Sequence, residues 1–93
     1  MANKANYRNI TTATTTVVKS GKGYLKSIIL NKGVASGSIA IYDNTAGSGT
    51  LIGTITLPAT LLLSQDQFPF ECNFGTGLTV VTVEALDLTV VYQ

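Results

Sequence analysis

The chain of 93 residues has no histidine, no tryptophan, one cysteine and two prolines. Without histidine there is no Ser-His-Asp or Cys-His relay, so acid–base work at neutral pH would fall to carboxylates. The same absence, together with a lone Cys72, removes the usual zinc donor sets and any internal disulfide. Charge is also scarce. Charged residues make up 12% of the chain, about half the share of an ordinary soluble domain. A net charge of +1 sets up no long-range field to gather nucleic acid or an anionic membrane. No apolar run approaches the ~20 residues of a membrane helix; Leu61-Leu62-Leu63 is typical of the longest. The stretch Met1 to Arg8 is polar and lacks the apolar core of a secretory signal. The expectation is a protein made and folded in a reducing cytoplasm, with neither nucleic acid nor membrane as a partner and no cofactor.

The few charges are segregated along the chain. Lys4, Arg8, Lys19, Lys22, Lys26 and Lys32 all precede Asp43, Asp66, Glu71, Glu84 and Asp87, while hydrophobic residues reach 45%. A domain of this size buries only about 60–65% of its unfolded surface. With no disulfide or metal to help, oligomerisation is the remaining support.

Helical periodicity is nearly absent, β-branched residues are dense, and turn residues recur every eight to twelve positions. These signs predict a single all-β domain over residues 1–93, an antiparallel β-sandwich of jelly-roll or Ig-like topology with about 7–8 strands. Residues 1–8 are expected to form an extended N-terminal arm. Residues 7–19 read as one Thr-rich edge or partner-facing strand, with Ala13, Thr15 and Val17 on one side and Thr14, Thr16 and Val18 on the other. In Tyr24 to Asn31, the run Ile28-Ile29-Leu30 breaks alternation, predicting either a strand covered on both faces or a bulge.

Ser38 to Asp43 alternates cleanly, with Ile39 and Ile41 opposed to Ala40 and Tyr42. Asn44 to Gly49 supplies a hairpin loop, and Leu51 to Leu57 the return strand, stopped by Pro58. Ala59 to Asp66 is expected to cross between sheets. Phe68, Phe70, Cys72 and Phe74 share one face and are expected in the core, whereas Pro69, lacking an N–H, places that strand at an edge or on a bulge. Gly75-Thr76-Gly77 turns into Leu78 to Val83. The last strand sets Leu88, Val90 and Tyr92 against Thr89 and Val91.

Each chemical motif has a plainer explanation. Glu71, Glu84 and Asp87 contain the carboxylates for a glycosidase-like pair, but Glu71 alternates outward and the other two bracket a turn. Cys72 shares the parity of three phenylalanines and reads as a small buried hydrophobe. Gly47-Ser48-Gly49-Thr50 lacks the lysine and following helix of a phosphate loop. Asp43 and Asn44 offer too few oxygens for calcium. The sequon Asn9-Ile10-Thr11 matters only in a secretory pathway. No catalytic, metal or cofactor residue is assigned.

Contact residues are assigned instead. Lys19, Lys22 and Lys26 cluster around a turn with Tyr24, a pattern better used against the acidic half of a neighbouring subunit than on nucleic acid. Such head-to-tail contacts close into rings, with a trimer favoured. Leu61, Leu62 and Leu63 cannot all face inward from one loop, and Tyr7 and Arg8 lie in the expected arm. Sugar recognition, the different-class alternative, would need exposed rings among Tyr7, Tyr24, Tyr42 and Tyr92.

The succession Gly23-Tyr24-Leu25, Ile28-Ile29-Leu30-Asn31, Ile39-Ala40-Ile41-Tyr42-Asp43, Phe68-Pro69-Phe70, Gly77-Leu78-Thr79-Val80-Val81 and Leu88-Thr89-Val90-Val91-Tyr92 resembles a class of small virion proteins of tailed bacteriophages. The resemblance spans nearly all of the chain beyond residue 20; the Thr-rich N-terminal segment lies outside it. It implies a non-enzymatic β-sandwich on the virion, a capsid decoration or cement protein bound to the major capsid protein or other virion proteins. A neck or tail component is the alternative.

Overall fold

The computed structural model describes residues 5–57 and 67–93. They form eight strands: β1 (Asn6–Ile10), β2 (Thr15–Ser20), β3 (Gly23–Lys32), β4 (Ser38–Asp43), β5 (Thr50–Thr56), β6 (Gln67–Phe74), β7 (Gly77–Val83) and β8 (Asp87–Tyr92). No helix occurs among the described residues. The strands build two four-stranded antiparallel sheets, β1-β8-β3-β6 and β2-β7-β4-β5.

The pairing is nested. β4 pairs with β5, β3 with β6, β2 with β7 and β1 with β8, as in one long hairpin folded over itself. The additional pairs β3·β8 and β4·β7 close the two layers. This is the jelly-roll order, so of the two expected topologies the chain adopts that one and not the Ig-like one. Only β4 and β5 are consecutive neighbours within a sheet; every other connection passes between layers.

Alternation supplies the core between the sheets. Leu25, Ile28 and Leu30 of β3, with Leu88 and Val90 of β8, face Ile39 and Ile41 of β4 and Leu78 and Val80 of β7, all buried. Phe74 and Leu86 close the two ends. In β4 the sequence pattern is realised residue by residue: Ile39 and Ile41 are fully buried, while Ala40 and Tyr42 are half-buried on the outer face.

Several expectations change. Residues 7–19 are two strands in different sheets, joined by a bend at Thr11–Thr14. The buried Thr82 hydroxyl holds that bend: it donates to the Thr12 carbonyl at 2.6 Å and accepts from the Thr14 N–H at 3.0 Å. The expected alternation survives from Thr15 onward, with Thr16 and Val18 buried and Thr15 and Val17 exposed. From Asn6 on, the segment read as an arm is strand β1, paired to β8.

The irregularity in β3 is a bulge, because its register shifts between Leu25 and Ser27 against both neighbours. Ile28 and Leu30 point inward and Ile29 outward. In β6 Phe74 is fully in the core, and Phe68, Phe70 and Cys72 are half-buried while packing against it. The cause is position, since β6 is an edge strand among the described residues. Its Pro69 and the left-handed backbone of Glu71 (φ 53°) fit an edge that carries a bulge. The expected crossover at Ala59 to Asp66 and the cluster Leu61, Leu62 and Leu63 lie outside the described residues.

Candidate contact surface

The nested pairing decides where the charges fall. β3, with Lys26 and Lys32, lies between β6, with Glu71, and β8, with Asp87. The basic and acidic halves of the sequence are therefore interleaved side by side, and they do not form opposite poles for a head-to-tail contact. The asymmetry is instead between layers. Arg8, Lys26, Lys32, Glu71 and Asp87 all belong to β1-β8-β3-β6, whereas the strands of β2-β7-β4-β5 carry only Lys19 and Asp43, at strand ends.

The outer face of β2-β7-β4-β5 is thus uncharged. Register places Thr15 and Val17 of β2 beside Val81 and Thr79 of β7, then Ala40 and Tyr42 of β4, then Thr54 and Leu51 of β5. Val17 (44% exposed), Leu51 (51%) and Val83 (49%) are large apolar side chains open to solvent there. The β4–β5 loop folds back over one part of this face. The Thr79 hydroxyl donates to the Asn44 carbonyl at 2.7 Å, and Gly47 lies against Val81 and Thr15.

That loop is anchored by Asp43. Its carboxylate accepts the N–H of Gly75 at 3.0 Å and of Thr76 at 2.8 Å, with Gly77 at 3.3 Å. These donors, that of Gly75 foremost, hold the carboxyl below its ordinary value against a small opposing effect of burial. The same end of the sandwich brings together three of the sequence-assigned residues. Lys19, Lys22 and Tyr24 line an open depression of about 570 Å³ whose other walls are Gly23, Asn73, Phe74, Gly75 and Gln93. The Lys19 ammonium donates to the Gln93 carbonyl at 3.3 Å, which also accepts the Tyr24 N–H at 2.9 Å. The Tyr24 hydroxyl donates to Glu71, and this bond is the main reason its pKa is raised.

The other assigned residues lie apart from the depression. Lys26 is exposed on β3 at the bulge. Tyr7, 74% exposed, sits opposite Val91 on the outer face of the charged sheet, and Arg8 is opposite Val90 on the same edge strand. Tyr7 and Tyr42 occupy opposite layers, so they form no common aromatic platform.

Glu71 lies between the β6 partners of Leu25 and Ser27, near the start of β3, and Asp87 lies opposite Lys32 at its end, a separation of about 15 Å along the strands. That exceeds the spacing of paired glycosidase carboxylates. No three His, Cys, Asp or Glu side chains gather as a metal site would require among the described residues. Cys72 is half-buried; burial first, and then the charge of Asp43, push its thiol up.

Two polar clusters went unread in the sequence. One is the cradle for Asp43, whose donors lie more than thirty residues away. The other joins Asn9, Asn31 and Asp87. Asn9 Nδ2 donates to Asp87 Oδ1 at 2.8 Å and Asn31 Nδ2 does so at 3.2 Å, and both hold the Asp87 carboxyl below its usual range. The sequon asparagine is thereby committed to a cross-strand tie. No protein-family model matches the chain, and no curated protein shows significant similarity to it.

Proposed function

We propose that the protein is a structural component of a tailed-phage particle, a decoration protein that lies on the outside of the assembled head and reinforces it. The observation that carries this reading is the uncharged Thr- and Val-rich outer face of β2-β7-β4-β5, set against a sheet that holds five of the seven strand charges. A face of this composition buries apolar surface against another protein without stripping water from ions. The pattern resemblance to small virion proteins supplies the identity of that other protein, the major capsid protein.

The mechanism is passive. A molecule that contacts several neighbouring capsid subunits binds the assembled lattice better than free subunits, and by mass action it stabilises the shell against pressure from the packaged genome. No covalent step is involved.

Cryo-electron microscopy of particles made with and without the protein tests this directly. The expected result is density on the head exterior that vanishes in its absence. Density lost from the neck or tail would move the protein to that part of the virion, and particles that never contain the polypeptide would overturn the reading. A second arm uses V17K and V83K, which add charge to the uncharged face. Both should fold and lose binding to heads that lack the protein.

A further inference from the structure

Among the described residues the two sheets leave four edge strands, and three of them are defended against pairing. β1 is short and carries Arg8 at its centre. β6 contains Pro69 and the left-handed Glu71. β2 shifts register between Val17 and Lys19 and carries the charge of Lys19 at its last residue but one. Charge, proline and bulges are the devices that keep sheet edges from joining. The fourth edge, β5, runs Thr50–Thr56 without a charge or a proline. Its one irregularity lies near its start, where the pairing shifts between Ile41 and Tyr42; from Gly53 onward it is regular.

The direction of its free groups follows from one hydrogen bond. Leu57 donates its N–H to the Gly37 carbonyl at 2.9 Å, toward the β4 side. Alternation then turns Ile55 toward β4 as well and sends the N–H and C=O of Thr54 and Thr56 away from it. Both threonines are exposed. The flank they border is apolar: Phe70 lies over Gly53, and Ile52, Phe68 and Cys72 are only partly covered. The opposite flank, between β1 and β2, is a polar hollow of about 390 Å³ lined by Arg8, Asn9 and a row of threonines.

We propose that β5 pairs antiparallel with β5 of a second copy of this chain, joining the two uncharged sheets into one continuous eight-stranded sheet. With the two-fold axis at Ile55, Thr54 of each copy lies opposite Thr56 of the other. Both belong to the outward-bonding set, so each pair exchanges its main-chain bonds, about four in all. No like charges meet across the axis. The same operation at β1 would set Arg8 near its own copy, and at β6 it would meet Pro69. The contact is isologous and closes at a dimer, in place of the ring that the linear charge order suggested. It concerns the free protein and does not depend on the proposed place in the virion.

Sedimentation equilibrium of the full chain over a concentration series tests it, with amide hydrogen exchange as the local readout. The wild type is expected at twice its 9.7 kDa mass, with slow exchange at Thr54 and Thr56. T54P removes an N–H that the β4 ladder does not use, and T54K/T56K sets like charges across the axis. Each should keep its far-ultraviolet circular dichroism and raise the dimer dissociation constant about tenfold or more. The lysine variant should also show fast exchange at position 56. A wild type that stays at chain mass at high concentration, a mass above the dimer, or a dimer indifferent to both variants would overturn the proposal.

Discussion

A methyl group on Gly23 would sit 2.4 Å from the Gln93 carbonyl oxygen and 2.6 Å from the Phe74 ring. The glycine is required by close approach, since its backbone has no positive φ. G23A is expected to lower stability by about 1–3 kcal/mol, read as a lower urea midpoint. Asp43 acts through charge. Its folded-state pKa lies below the ordinary carboxylate value, and so does that of Asp87. The unfolded chain therefore takes up protons first as pH falls. The stabilisation from both groups is complete above that ordinary value and is lost as pH drops through the folded one. Urea midpoints should fall as pH drops below the ordinary carboxylate value of 3.8, and the fall should be shallower in D43N and in D87N. At Cys72 the raised thiol pKa predicts slow modification by a disulfide reagent at pH 8, with denaturant accelerating it about tenfold or more.

Between strands, the bend from β1 to β2 hangs on Thr82, which serves Thr12 and Thr14 from a buried position. T82V keeps the shape and removes the partner. The expected cost is about 1–3 kcal/mol, measured by chemical unfolding, with protection lost first at the Thr14 amide. The turn from β7 to β8 carries Glu84 at φ 75°, a region that disfavours side chains. E84G should therefore raise stability by about 0.5–1 kcal/mol. Elements like β4 and β5 were legible because alternation and turn chemistry are local properties: Ile39, Ile41 and the loop Asn44 to Gly49 suffice. The break after Ile10 was not. Thr11 to Thr16 has strand propensity throughout, and what bends the chain is a hydroxyl some seventy positions later. Likewise Phe68 and Phe70 have the parity of core residues and do pack against the core, and only the strand order reveals that they stay half-buried because β6 is an edge strand among the described residues. Of the contact residues, Lys19, Lys22 and Tyr24 meet because they flank one turn. Nothing local in the sequence announces that β3 would be flanked by its acidic partners, or that one layer would be left without charge.

For the molecule as a whole, stability of about 5–10 kcal/mol is the scale for this length. Leu88 is fully buried at the centre of the charged sheet, so L88A, at about 2–5 kcal/mol, should leave a barely folded protein with a much lower Tm. The layered charge arrangement has a counterpart in solubility: low salt should favour dispersal less than usual, because one entire face contributes no repulsion. The nested pairing also prescribes an order of events. Chain closure is cheapest at the β4–β5 tip and grows with each outer pair, so the tip is the natural nucleus and the β1·β8 pair zips last. Folding should then be slow, in milliseconds to seconds. Stopped-flow φ-values should be high around Ile39 and Ile55 and near zero at Ile10, where truncation would speed unfolding and leave the refolding rate unchanged.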